Sequence, residues 1–193
     1  MILFLIAFTR PDPQRKNKSL LLPLKKTMTI AQNFLVELKQ EAASTRKLLA
    51  AVPFDKADFK PHEKSMSLKQ LATHIAEING WWKECLVDDE LDFAKDGGPR
   101  KEYHSTDDIV NWHDELIVKA EKILNDISET EFAKPWTMRN GEQIYFTLPK
   151  VAVVRTWCLN HLYHHRGQLT VYLRLLNIPV PGMYGPTADD QAM

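Results

Sequence analysis

Along most of this chain apolar residues recur at intervals of three and four, the spacing of amphipathic helices. In the first such run Ile30, Phe34, Leu35, Leu38, Ala42, Thr45, Leu48, Leu49 and Val52 form one stripe, and Pro53 stops it. A polar linker, "PFDKADFKPHEKSM", follows. Ser67 is a suitable N-cap for a second helix, whose stripe is Leu68, Leu71, His74, Ile75, Ile78 and Trp82. That helix fades into "DDELDFAKDGGPRKEYH", where Gly97-Gly98-Pro99 marks a loop. Ser105 or Thr106 caps the third run, with Asp107 and Asp108 favourably placed in its first turn. Its inner face is Ile109, Trp112, Leu116, Ala120, Ile123, Leu124 and Ile127. The helical period then breaks, and Asn140-Gly141 between "WTMR" and "EQIYFT" predicts a short hairpin, too small to carry a sheet-based fold. Pro149 suits the first turn of a fourth helix reaching about Leu176 or Asn177. Its stripe is Val154, Trp157, Cys158, His161, Leu162, His165, Leu169, Tyr172, Leu173 and Leu176. Four stripes predict an all-α fold, a four-helix bundle. The linkers between helices one and two and between three and four are long, so a simple up-down order does not follow from the pattern.

The fourth stripe contains "NHLYHHRGQL", residues 160–169, and with it three histidines. His161 and His165 are four apart, so they point the same way with Cβ atoms about 5–6 Å apart. His164 is rotated about 60° from His161 at roughly 100° per residue and flanks that face. His74 lies on the inner stripe of the second helix. One histidine on an apolar stripe is ordinarily a hydrogen-bonded core or rim residue. Three on the inner faces of two helices are costly to bury unless hydrogen-bonded or ligated. They therefore suggest a metal site in which three neutral ligands leave a position for water or substrate. Other metal motifs fit less well. Leu162 follows His161 where a zinc protease motif needs Glu, and the Glu-x-x-His pattern of di-iron bundles is absent.

Length and charge narrow the function classes. The 193 residues suit one domain, and 44% hydrophobic content is ample for a core. Lys plus Arg and Asp plus Glu are 25 each. A chain that holds nucleic acid electrostatically shows a basic excess, so no nucleic-acid partner is expected. Cys85 and Cys158 sit in helical patterns outside any CxxC and read as the reduced thiols of a cytoplasmic protein. The opening "MILFLIAF" has no positive region before it and no small-residue cleavage site after it, and it is too short to span a bilayer. Met28 begins "MTIAQNFLVELKQ", which reads as a natural start. Residues 1–27 are therefore expected to be a disordered leader or an upstream extension, and residues 28–193 the folded domain.

Three stretches, "SLKQLATHIAEINGWW" at 67–82, "NHLYHHRGQL" at 160–169 and "IPVPGMYGPTADD" at 178–190, together resemble the DinB-like family of bacterial metal-binding four-helix bundles. The resemblance spans about residues 28–190. It implies an up-up-down-down bundle, dimerisation through helix faces, and a divalent ion, commonly zinc or nickel, held by three histidines. The matching positions are His74, His161 and His165, and His164 is the adjacent histidine that is not usually a ligand. Some relatives are thiol S-transferases or isomerases that use a low-molecular-weight thiol such as bacillithiol or mycothiol. Many have no assigned activity.

A metal-dependent thiol S-transferase acting on small electrophiles is thus the leading expectation. The alternative is a non-catalytic metal-binding stress-response bundle. The catalytic candidates are Arg166 and Glu77. Arg166 beside the ligands, or Arg155 earlier in the same helix, would hold a carboxylate of substrate or thiol, or else Arg166 would tie the fourth helix to the C-terminal tail or the second helix. Glu77 would orient an imidazole or pair with a surface cation. Tyr103, Trp82 and Tyr184 are candidates for the pocket mouth or for core packing and loop anchoring. Gly167 would allow close helix packing.

Overall fold

The computed structural model describes residues 27–95 and 101–190. The expected leader lies outside the described residues except for Thr27, and so do Gly97, Gly98 and Pro99. The described chain is mostly helical with one small sheet. Helix α1 spans Ile30–Ala50. Thr29 caps it by accepting from the Gln32 amide, while the Gln32 side chain accepts from the Thr29 amide, both at 3.1 Å. Ser67 and Gln70 repeat that reciprocal cap at the start of α2, Leu68–Glu77. A 3-10 turn, Ile78–Gly80, joins α2 to α3, Trp81–Leu86. Strand β1, Glu90–Asp92, comes next. Ser105 caps α4, Thr106–Asp126. Strands β2, Pro135–Asn140, and β3, Gln143–Pro149, form the expected hairpin, with Gly141 at φ 59° in its turn. The last helical run is α5, Lys150–Val153, then a π-helical stretch, Val154–Asn160, then α6, His161–Leu175. Asn177, at φ 56°, takes the left-handed conformation that ends it, and the Ile178 amide bonds back to the Leu173 carbonyl at 2.9 Å.

Two core clusters give the helix directions. One gathers the first half of α1 (Phe34, Leu38) with α3 (Trp82, Leu86), the end of α4 (Ala120, Leu124) and the start of the last run (Val154, Cys158). The other gathers the end of α1 (Leu48, Leu49) with α2 (Leu71, Ile75), the start of α4 (Ile109, Val110) and the end of the last run (Leu169, Leu173). Polar contacts agree: Lys39 meets Glu121 and Arg46 meets Asp114, so α1 and α4 are antiparallel. Glu37 meets Arg155 and Glu41 meets Arg166, so α1 and the last run are parallel. The order is therefore up-down-down-up. This corrects the up-up-down-down order that the resemblance implied. The physical reason is that α4 begins in the same core cluster as α2, so the two run the same way. Apolar periodicity does not show helix direction.

The sheet also exceeds expectation. β1 pairs in parallel with the hairpin, with Leu91 opposite Met138, giving the order β1-β2-β3. Lys150 fastens this end: its fully buried ammonium donates to the Leu86 carbonyl at 3.1 Å and pairs with Asp89 at 2.8 Å. Gly167 is exposed, and a Cβ there would meet nothing within 4 Å. Close packing is therefore not its role. No helix among the described residues is long and apolar enough to cross a membrane.

Candidate metal centre

Helices α2 and α6 bring together the three histidines singled out by spacing. His74 Nε2 lies 3.1 Å from His161 Nε2, which lies 2.7 Å from His165 Nε2. Ligand atoms from all three fall within 4.8 Å of one another. His165 is buried, and His74 and His161 are half-buried. Three imidazoles converging on one point through the same ring nitrogen are a donor set that could hold a metal ion. Tetrahedral coordination at 2.0–2.1 Å puts ligand nitrogens about 3.3 Å apart, so the 3.1 and 2.7 Å separations about His161 need only slight opening to hold an ion.

Electrostatics favour the ligating form. Burial pushes the His161 imidazole down to about 4, with His165 and then His164 adding to the effect. Burial also lowers His165, partly offset by its hydrogen bond to Gln168. Neutral imidazole is the form that binds metal. The Gln168 Oε1 lies 2.7 Å from His165 Nδ1. A carbonyl oxygen only accepts, so Nδ1 carries the proton and Nε2 keeps its lone pair for a ligand bond. His161 sits where the π-helical stretch ends, its amide bonded five residues back to the Thr156 carbonyl. Such stretches recur at functional sites.

Two indoles border the triad. The Trp81 ring centroid is 5.5 Å from that of His74 and 5.1 Å from that of His161, and Trp157 is 5.6 Å from His161. Neither Trp was singled out as a site residue from the sequence. Trp81 is seven residues after His74 and Trp157 four before His161, and Gln168 is three after His165. These are all same-face helical spacings that could have found them.

Arg166 is buried and donates to Glu41 Oε2 at 2.5 Å, to Thr45 Oγ1 at 3.1 Å, and to the Tyr184 hydroxyl. It ties α6 to the C-terminal segment, one of the two roles weighed for it, and to α1 in place of the second helix, which leaves its guanidinium engaged away from any substrate. Adjacent helical residues point about 100° apart, so a neighbour of His165 faces away from it. Arg155 is held by Glu37 at 2.7 Å. Glu77 accepts from the Tyr103 hydroxyl at 3.0 Å, joining the end of α2 to the segment before α4. Trp82 is in the core, edge-on to Phe34. Tyr103 is buried, and Tyr184 is exposed at its ring while anchoring Glu41 and Arg166. His164 is exposed beside His165. His113, unremarked in the sequence, is buried between α4 and α1, and burial lowers it against the opposing pull of Asp114.

Comparison with known proteins places these features in context. The DinB family model matches residues 24–192. A crystal structure of the DinB-like protein YjoA from Bacillus subtilis superposes with a TM-score of 0.61 at 18% identity, covering 78% of this chain and 96% of that one. A DinB-like protein from Bacillus cereus gives 0.61 at 22% identity, with 81% and 98% covered. At these identities the likeness shows the fold. The uncharacterized protein YrdA of Bacillus subtilis is 47% identical over 34 residues, 18% of this chain. That match spans 20% of YrdA.

Proposed function

The chain belongs to the DinB family, and on that premise we propose that it is a divalent-metal protein of four-helix-bundle type whose ion, zinc or nickel, is held by His74, His161 and His165. The reaction we assign to it is transfer of a low-molecular-weight thiol to a small electrophile. The observation that carries the proposal is the convergence of three Nε2 atoms, with Gln168 fixing the tautomer of one. When bound, the ion supplies Lewis acidity and lowers the pKa of a coordinated water or thiol. The residues do the rest. Gln168 orients His165, burial keeps His161 neutral, and Trp81 and Trp157 shield the imidazoles from water on their side.

One observation favours the second reading, a non-catalytic ion that fastens α2 to α6. Both arginines expected to hold a carboxylate are engaged by glutamates of α1, so an acidic thiol must be held by other groups. Elemental analysis of purified protein tests the shared part: about one divalent ion per chain, falling sharply in His74→Ala, His161→Ala and His165→Ala. Equal trace metal in wild type and variants would sink both readings. Conjugation of bacillithiol or mycothiol to monobromobimane by the metal-loaded protein separates them, and its absence with metal present favours the fastening role. The same reading carries a cytoplasmic homodimer assembled through helix faces, which light scattering at several concentrations tests.

A further inference from the structure

A cavity of about 260 Å³ lies against the histidine triad, lined by Trp81, Trp136, Trp157, Phe93, Leu91 and Met138, with Glu84 and Cys85 as its polar members. Trp81 and Trp157 belong to both places, lining the cavity and touching His74 and His161. We infer that this cavity seats the flat, uncharged, aromatic body of the substrate, leaving its reacting end at the histidines. The inference rests on the metal reading above and adds to it the chemical class of the molecule.

Size, chemistry and position each contribute. An engineered apolar cavity of about 150 Å³ takes benzene, so this one has room for two fused rings or one ring with a short tail. Four aromatic side chains offer faces and edges for stacking, and the Met138 thioether adapts to a ring edge. Trp136 is turned away from hydrogen bonding with a ligand, because its Nε1 donates to the Glu84 backbone carbonyl at 2.8 Å. No lining residue is basic and one, Glu84, is acidic, so an anion would find no counter-charge in the wall. The small sheet also acquires a purpose. The parallel pairing of β1 with β2 sets Leu91 opposite Met138 and closes the cavity on the side the helices leave open. Phe93, 45% exposed and edge-on to Tyr145 at 6.2 Å, forms the rim.

The probe is neutral naphthol, followed by quenching of tryptophan fluorescence and by calorimetry on the full chain, with naphthalenesulfonate as its anionic counterpart. Wild type should bind naphthol at least about tenfold more tightly than the sulfonate. Leu91→Trp, which fills the cavity, should weaken naphthol about tenfold or more, a loss of roughly 1.4 kcal/mol. Phe93→Ala removes only the rim, should weaken naphthol several-fold, and decides the matter if Leu91→Trp does not fold. Unchanged naphthol affinity in the folded variants, or equal binding of the sulfonate, overturns the inference. Metal content measured on the same samples keeps the two readings apart. One ion per chain with no naphthol binding overturns the cavity assignment alone, whereas naphthol binding without an ion supports the cavity and sinks the metal reading.

Discussion

Replacing Arg166 with Met should be among the most damaging single changes in this chain, and for a reason unconnected with chemistry at the histidines. The guanidinium and the Glu41 carboxylate are 3% and 8% exposed at 2.5 Å. Arg166 also reaches the Glu41 carbonyl at 3.2 Å and Thr45 at 3.1 Å. Arg166→Met strands the Glu41 charge in a buried position, a loss of about 3–5 kcal/mol. At about 2–4 °C per kcal/mol for a chain of this size, the melting midpoint should fall by roughly 6–20 °C. Adding Glu41→Leu removes the stranded charge. An apolar replacement for a buried pair is often neutral or stabilising, so the double variant should recover most of the loss, with exposed Tyr184 turning its hydroxyl to water. Differential scanning calorimetry of wild type, both single variants and the double variant completes the cycle, and elemental analysis of the folded double variant should show metal content unchanged. A cost below about 1 kcal/mol for Arg166→Met, or a double variant no more stable than the single, would refute the stranded-charge argument. Loss of metal from a fully stable double variant would return Arg166 to the site.

Three further outcomes follow from the same geometry. Gln168→Leu, at an exposed position, should leave the melting midpoint nearly unchanged but weaken metal affinity about 10–100-fold, as measured by chelator competition; equal affinity would mean that the Nδ1 contact does not orient His165. The imidazoles of His161 and His165 are depressed, so the unfolded chain binds more protons than the folded one as pH falls below 6.5. Stability of the metal-free protein should therefore be full above pH 6.5 and decline toward about pH 4, and a His161→Ala, His165→Ala double variant should show a shallower decline in urea titrations. Lys150→Met keeps the buried stem but removes the donor to the Leu86 carbonyl, which should cost about 1–3 kcal/mol in denaturant unfolding; the exposed Asp89 it releases is free to hydrate.

Much of this molecule was legible because helices announce themselves by period. The stripes on α1, α2, α4 and α6 marked buried faces, Ser67 and Ser105 were readable as caps, and Asn140-Gly141 marked the hairpin turn. The histidines could be paired because i and i+4 is a statement about direction, and His74 joined them by lying on an inward stripe. What escaped was of two kinds. β1 has three residues, too few for any alternation to show, and the up-down-down-up order depends on helix directions that periodicity does not show. Arg166 kept two readings in the sequence because nearness to His165 along the chain does not fix nearness in space; the tie to the C-terminal segment was one of them, and the partner on α1 was not foreseen. Its buried partner Glu41 sits on the inner face of α1, where a charge has no hydropathic signature.

The π-helical stretch from Val154 to Asn160 has a consequence for how this chain compares with its relatives. A π turn fits one more residue into a turn than an α turn does. On the scale of a gene that is a small insertion accommodated without breaking the helix. Homologous chains that lack it would need a gap opened within this helix for their residues to fall in register with His161 and His165. An ungapped alignment would shift every residue on one side of the turn, and Trp157 would be matched to a position on a different face. The length of this one segment therefore provides a marker for sorting relatives by how their last helix presents the positions that match His161 and His165.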